Sequence, residues 1–151
     1  MNKQITDEIF GYLNELKVHK WLVENVDDSI IKRNGKWNHM DFECKDMLYE
    51  LKSRRCFYKT FPDIMINLSK HTHKDNKPHT YLFLFKDGLY EWSYNENEFY
   101  VKYGGRQDRG KDERKKYGYV DIKYITLLTK DINSYISDEE FIKEFNNRLL
   151  R

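Results

Sequence analysis

Between residues 40 and 53 the chain alternates in a regular way. Phe42, Cys44, Met47, Tyr49 and Leu51 are apolar, and the charged Asp41, Glu43, Glu50 and Lys52 fall between them. A period of two over that length is the signature of half-buried strands. Lys45-Asp46 separates the two runs by the two residues that a tight hairpin turn needs. Upstream, residues 29–33 form a shorter extended run followed by Asn34-Gly35, a turn pair, so residues 29–53 predict a three-strand meander. Before it, Thr6 with Asp7 and Glu8 in the first turn predicts a helix to about residue 24. That helix carries one stripe of Ile9, Leu13 and Leu16. A second holds Val18 and Leu22 with Gly11 and Glu15, so it is expected to be covered on both flanks.

After the meander, Thr60 with Pro62 just inside and Asp63 three positions on resembles a helix start, and a second helix is expected over residues 60–71. Strands are expected over 79–86 and 89–94, joined at Asp87-Gly88, then over 99–103 and 119–123. Residues 104–118 are charged and glycine-bearing and read as a loop. Ser137 with Glu140 makes a capping box for a C-terminal helix over 137–150. The expected architecture is therefore α/β in a single domain of residues 1–151, with a central mixed sheet flanked by helices in the order αβββαβ.

The hairpin register gives the alternation chemical content. A turn at Lys45-Asp46 sets Cys44 opposite Met47, Glu43 opposite Leu48, Phe42 opposite Tyr49 and Asp41 opposite Glu50. The apolar residues then share one face, while Asp41, Glu43, Glu50 and Lys52 share the other. Two opposed carboxylates repel unless a positive group lies beside them. A divalent cation resolves that conflict, and Mg²⁺ commonly takes one or two carboxylates. Lys52, two residues after Glu50, emerges on the same face, where an ammonium orients an attacking water and stabilises charge on a phosphate.

Asp41 followed by Glu50-Leu51-Lys52 resembles the paired-carboxylate and lysine signature of the PD-(D/E)XK nuclease superfamily, including its small, resolvase-like members. Its core order of helix, three-strand meander, helix and strand is similar to the order read over residues 6–93. Asn38-His39-Met40 departs from the Gly or Pro often found before the aspartate. The resemblance implies a restriction-endonuclease-like fold and a Mg²⁺-dependent nuclease, with Mn²⁺ able to substitute. It implies metal ligation by Asp41, Glu50 and the Leu51 carbonyl, with Lys52 assisting the nucleophile. Gly11-Tyr12-Leu13-Asn14-Glu15 is similar to the stretch bearing the first helix's glutamate, which makes Glu15 a further catalytic candidate. The second helix would turn Lys70 and Asn67 towards substrate.

Composition adjusts this picture only at its edges. The net charge of +2 permits a nucleic-acid partner without demanding one, so any basic footprint is local. Arg54 and Arg55 follow the lysine strand directly, and Arg106 and Arg109 lie in the charged loop; all four are candidate phosphate contacts. His71, His73 and His79 lack the spacing of a structural zinc site. Two cysteines, Cys44 and Cys56, and apolar runs as short as 81–85 argue for a soluble intracellular protein without disulfides or a membrane span. The absence of alanine fits an A+T-rich genome such as many viruses carry. DNA is the expected substrate, and a homodimer is compatible with the small size. RNA cleavage, or a non-catalytic nucleic-acid-binding module on the same scaffold, are the alternatives.

Overall fold

The computed structural model describes residues 3–33, 40–68, 77–104 and 115–132, together with Lys143 and Asn146. Helix α1 (Lys3–Asn25) comes first, and nine strands follow: β1 (Ile31–Lys32), β2 (Phe42–Glu43), β3 (Leu48–Ser53), β4 (Asp63–Asn67), β5 (His79–Phe85), β6 (Gly88–Ser93), β7 (Phe99–Gly104), β8 (Lys115–Asp121) and β9 (Thr126–Thr129). Six strands form one sheet in the order β1-β2-β3-β5-β6-β9, and β4-β8-β7 form a second. Among the described residues, β3 and β5 run parallel and the other pairs are antiparallel. The larger sheet is mixed, and the fold is α/β as expected.

Two apolar layers hold the elements together. On one face of the large sheet, Val18, Trp21 and Leu22 of α1 pack with Phe42, Cys44, Tyr49, Leu51, Leu82 and Leu84. The stripe containing Val18 and Leu22 is thus the one that meets the sheet. On the other face, Tyr81, Phe83, Phe85, Tyr90 and Trp92 meet Ile64, Ile66 and Val120 of the small sheet. The alternation along β5 sends odd positions to one layer and even positions to the other, as a strand buried on both sides requires.

The second helix expected over 60–71 is not formed in its described part, residues 60–68. A single 3-10 turn spans Tyr58–Thr60, and the chain then extends as β4. Thr60, Pro62 and Asp63 satisfy local helix-start preferences, but Ile64 and Ile66 are buried on either side of exposed Met65. That period of two, with β-branched residues, fills the space between the sheets, and burial overrides a local capping signal. The parallel β3–β5 connection therefore passes through a strand of the second sheet. A single α-helix precedes the strands, so the order αβββαβ does not hold. Of the C-terminal helix expected over 137–150, Lys143 and Asn146 are helical and the rest lies outside the described residues, as do Asn34-Gly35 and most of the 104–118 loop. Among the described residues, no helix is long and apolar enough to cross a membrane.

Gly88 closes the β5–β6 turn at φ +154°, where the carbonyl of Thr129 would lie 2.7 Å from an added Cβ. Glycine alone serves there.

Candidate active site

The β2–β3 register is Phe42↔Tyr49 and Glu43↔Leu48, and the Cys44 N–H donates to the Met47 carbonyl at 3.0 Å. This is the pairing that a turn at Lys45-Asp46 dictates. The ladder stops at Phe42. Asp41 donates its N–H to the Tyr49 carbonyl at 2.8 Å, and its own carbonyl accepts from Arg33 at 2.8 Å. Its backbone is thereby fixed on both sides, but it is not the ladder partner of Glu50. The carboxylate instead turns along the edge of β3, where Oδ2 accepts the Leu51 N–H at 2.7 Å.

That bond places Asp41 against the Glu50-Leu51-Lys52 backbone. Even-numbered residues of this stretch bond towards β5, as the Leu48 N–H to the Pro78 carbonyl and the Arg54 N–H to the Leu84 carbonyl show. Odd-numbered Leu51 faces the β2 side, and its carbonyl leaves the strand on the same side as its N–H. Asp41, the Leu51 carbonyl and Glu50 are all hard oxygen donors, which suits Mg²⁺ or Mn²⁺ rather than a softer ion. Among the described residues, no group of three or more His, Cys, Asp or Glu is placed to hold a metal.

Glu50 is 2% exposed, and the Lys52 ammonium lies 3.4 Å from its Oε1. Both side chains leave β3 on the face shared with Tyr81 and Phe83, their parallel partners on β5. Burying a carboxylate costs several kcal/mol unless a cation or strong donors accompany it. The field of Glu50 is felt next door: the Tyr81 hydroxyl is pushed well up, first by burial and then by that charge. Glu43 is drawn off separately, by Lys77 at 3.0 Å and Arg33 at 4.0 Å.

A groove of ≈ 370 Å³ opens at the end of β3, lined by Gly11 and Glu15 of α1 and by Leu51, Lys52, Ser53, Arg54 and Arg55. The helix glutamate and the strand lysine therefore share one groove. Glu15 is half-buried and pairs with Lys32 at 3.3 Å. Lys32 itself sits 4.6 Å from the centre of the Tyr12 ring. Nothing in the sequence marked Lys32, because its position depends on how β1 lies against the helix. Arg54 is partly buried, which lowers its pKa, and Arg55 is exposed.

Asn67 is not brought to this groove. It lies on β4 opposite Tyr117, on the face turned away from Ile64 and Ile66, and so away from Glu50. Its assignment to a substrate-facing helix fails with the helix itself. Lys70, Arg106 and Arg109 lie outside the described residues, as do His71 and His73.

A larger groove, ≈ 640 Å³, lies across the β6–β7 connection and includes Glu91, Glu96, Glu98, Trp92 and Tyr124. Glu98 is held by Trp92 Nε1 at 2.9 Å. Burial raises the pKa of Glu91 above the ordinary carboxylate range. No protein-family model matches the chain, and no curated protein or solved structure matches it.

Proposed function

We propose that the protein is a metal-dependent nuclease that hydrolyses phosphodiester bonds, foremost in DNA, on a restriction-endonuclease-like core in which β4 stands where that family has a helix. The observation that carries this reading is the Leu51 N–H bond to Asp41, which sets one carboxylate against the strand bearing Glu50 and Lys52. Asp41, Glu50 and the Leu51 carbonyl would hold Mg²⁺ or Mn²⁺. The bound cation supplies positive charge beside the phosphate and Lewis acidity towards its oxygens.

The chain's own groups do the rest. The Leu51 N–H fixes the orientation of the Asp41 carboxylate. Lys52 donates to the attacking water or to a phosphate oxygen and stabilises the charge that develops there. Arg54 and Arg55, at the groove rim, hold the flanking backbone. Glu15 faces the same groove and orients water.

One observation favours a second reading. The 3.4 Å contact between Lys52 and Glu50 accounts for both residues as a buried ion pair, as in a non-catalytic nucleic-acid-binding module. The discriminating experiment incubates wild type, Asp41→Asn and Lys52→Ala with single-stranded, duplex and branched DNA and with RNA, with and without Mg²⁺ or Mn²⁺. A nuclease cleaves at least one substrate only with metal, and each variant loses roughly 10²- to 10⁴-fold in rate. Binding without cleavage in either metal leaves the module reading standing alone.

A further inference from the structure

Arg54 belongs to two cavities. On its far side from Lys52 lies a more enclosed space of ≈ 250 Å³, walled by Tyr58, Phe61, Met65, Phe85 and Tyr119. The walls are chiefly apolar and aromatic. Two rim residues are large apolar side chains left in water, Phe61 at 62% exposed and Met65 at 42%. Single exposed apolar residues are ordinary, but these two edge the same cavity. The rest of the wall is rigid. Tyr58 stacks on Tyr90 at 4.2 Å and donates its hydroxyl to the Ile122 carbonyl. Tyr119 stacks on Tyr100 at 5.3 Å, with the Lys102 ammonium 5.5 Å from the Tyr119 ring.

The cation between the two cavities has donors to spare. A guanidinium carries five N–H groups. Among the described residues, that of Arg54 donates only to the neighbouring Ser53 carbonyl, at 3.2 Å. Asp63, the one carboxylate lining the second cavity among the described residues, is already engaged by the Tyr100 hydroxyl at 2.5 Å. The cavity is thus an aromatic-walled slot with a cation in its lining that it shares with the groove where a phosphate would lie.

We propose that this slot receives one unpaired nucleobase, while Arg54 holds the phosphate attached to the same nucleotide in the adjoining groove. Single-stranded or locally opened nucleic acid is then the substrate class. The inference rests on the reading of Asp41, Glu50 and Lys52 as a phosphodiester site. The slot is smaller than the roughly 300–1,000 Å³ of pockets that hold drug-sized ligands. It has room for a single planar ring system. A paired base reaches such a slot only by leaving its stack, which costs a few kcal/mol that an already unpaired base does not incur. Aromatic walls with adjacent cations bind bases through their faces, with little regard to sequence.

The test measures binding without turnover. Fluorescence anisotropy in EDTA compares a labelled twelve-residue thymidine strand with the same strand annealed to its complement, for wild type, Phe61→Ala and Met65→Ala. Both side chains are solvent-exposed, and unchanged melting temperatures verify that the variants fold. The expected result is at least tenfold tighter binding of the single strand by wild type. Phe61→Ala should lower single-strand affinity about tenfold and Met65→Ala less, with duplex binding unaltered. Equal affinity for strand and duplex overturns the proposal, as does an unchanged or equal effect of Phe61→Ala on both. Thymidine monophosphate competing as well as the strand also overturns it, in favour of a free-nucleotide site. Because no metal is present, these outcomes are separable from cleavage. Metal-dependent cleavage with Phe61-independent binding removes the slot alone, and Phe61-dependent single-strand binding without cleavage in any metal removes the hydrolytic reading alone.

Discussion

The groove over Glu91, Glu96 and Glu98 encloses ≈ 640 Å³, and the one at Lys52, Arg54 and Arg55 encloses ≈ 370 Å³. Among the described residues the larger is lined by three carboxylates and no Lys or Arg, an arrangement that repels a phosphate backbone. The smaller has three cations, and beside it a carboxylate is held in place by a main-chain hydrogen bond. Volume and chemistry thus point to different places. What separates the two is how each charge is held: Glu98 accepts from an indole within its own groove, whereas Glu50 is buried beneath the strand end with Lys52 as its neighbour.

Substitutions that move charge in one groove and not the other test this contrast. The largest effect is expected from Lys52→Ala. Nucleic-acid cleavage should fall roughly 10²- to 10⁴-fold. Chemical denaturation should show about 2–3 kcal/mol of lost stability, below the full cost of orphaning a buried charge because Lys52 is 18% exposed. Glu96→Lys, in the acidic groove, should leave cleavage unchanged; a comparable loss there would abolish the distinction. Next comes Arg54→Ala, expected to weaken single-strand binding about tenfold. The slope of log affinity against log salt should become shallower by roughly 0.7, the value for one lost phosphate contact on a single strand. The matching change Glu98→Gln should leave that slope alone.

A smaller effect is expected from pH. The carboxyl of Glu91 has a higher pKa folded than unfolded because burial disfavours its charge. Its contribution to stability is therefore present below the ordinary carboxylate pKa and is lost as pH rises through the folded value. Glu91→Gln should raise Tm near pH 7 and leave it unchanged below roughly pH 4. Smallest is Glu15→Gln. Glu15 itself is 32% exposed while its partner Lys32 is 14% exposed, and a pair open to solvent on the carboxylate side contributes about 1 kcal/mol. A shift beyond that, or one insensitive to salt, would assign Glu15 to the electrostatics of the centre.

Much of the candidate centre could be read from the chain because its geometry is local. The period of two from Phe42 to Lys52 and a two-residue turn gave the register and the apolar face, but not the pairing of Asp41 with Glu50, because the ladder ends at Phe42 and Asp41 turns to the Leu51 N–H. The β5–β6 hairpin was legible for the same reason, although its two-residue turn is Lys86-Asp87, one position before the expected Asp87-Gly88. Residues 60–67 were misread because Thr60, Pro62 and Asp63 carry helix-start chemistry, while the deciding fact, burial of Ile64 and Ile66 beneath a distant sheet, is non-local. β9 went unseen since Thr126–Thr129 is short and largely exposed. The aromatic slot was hidden too: Phe61, Phe85 and Tyr119 are far apart in sequence, and only the stacking of two sheets brings them round Arg54.

The unequal pairing of β3 bears on the order of assembly. It shares two ladder positions with β2 but six with β5, and Leu48 meets His79, thirty-one residues later. A two-pair hairpin in water is marginal by itself. The parallel partner arrives only after a long loop has closed, which is slow compared with local contacts. During synthesis, the strand that carries Glu50 therefore gains its longer ladder only once the chain has been made through Phe85. Truncation before that point should yield a segment without an ordered β3, and amide exchange along β3 should follow β5 rather than β2.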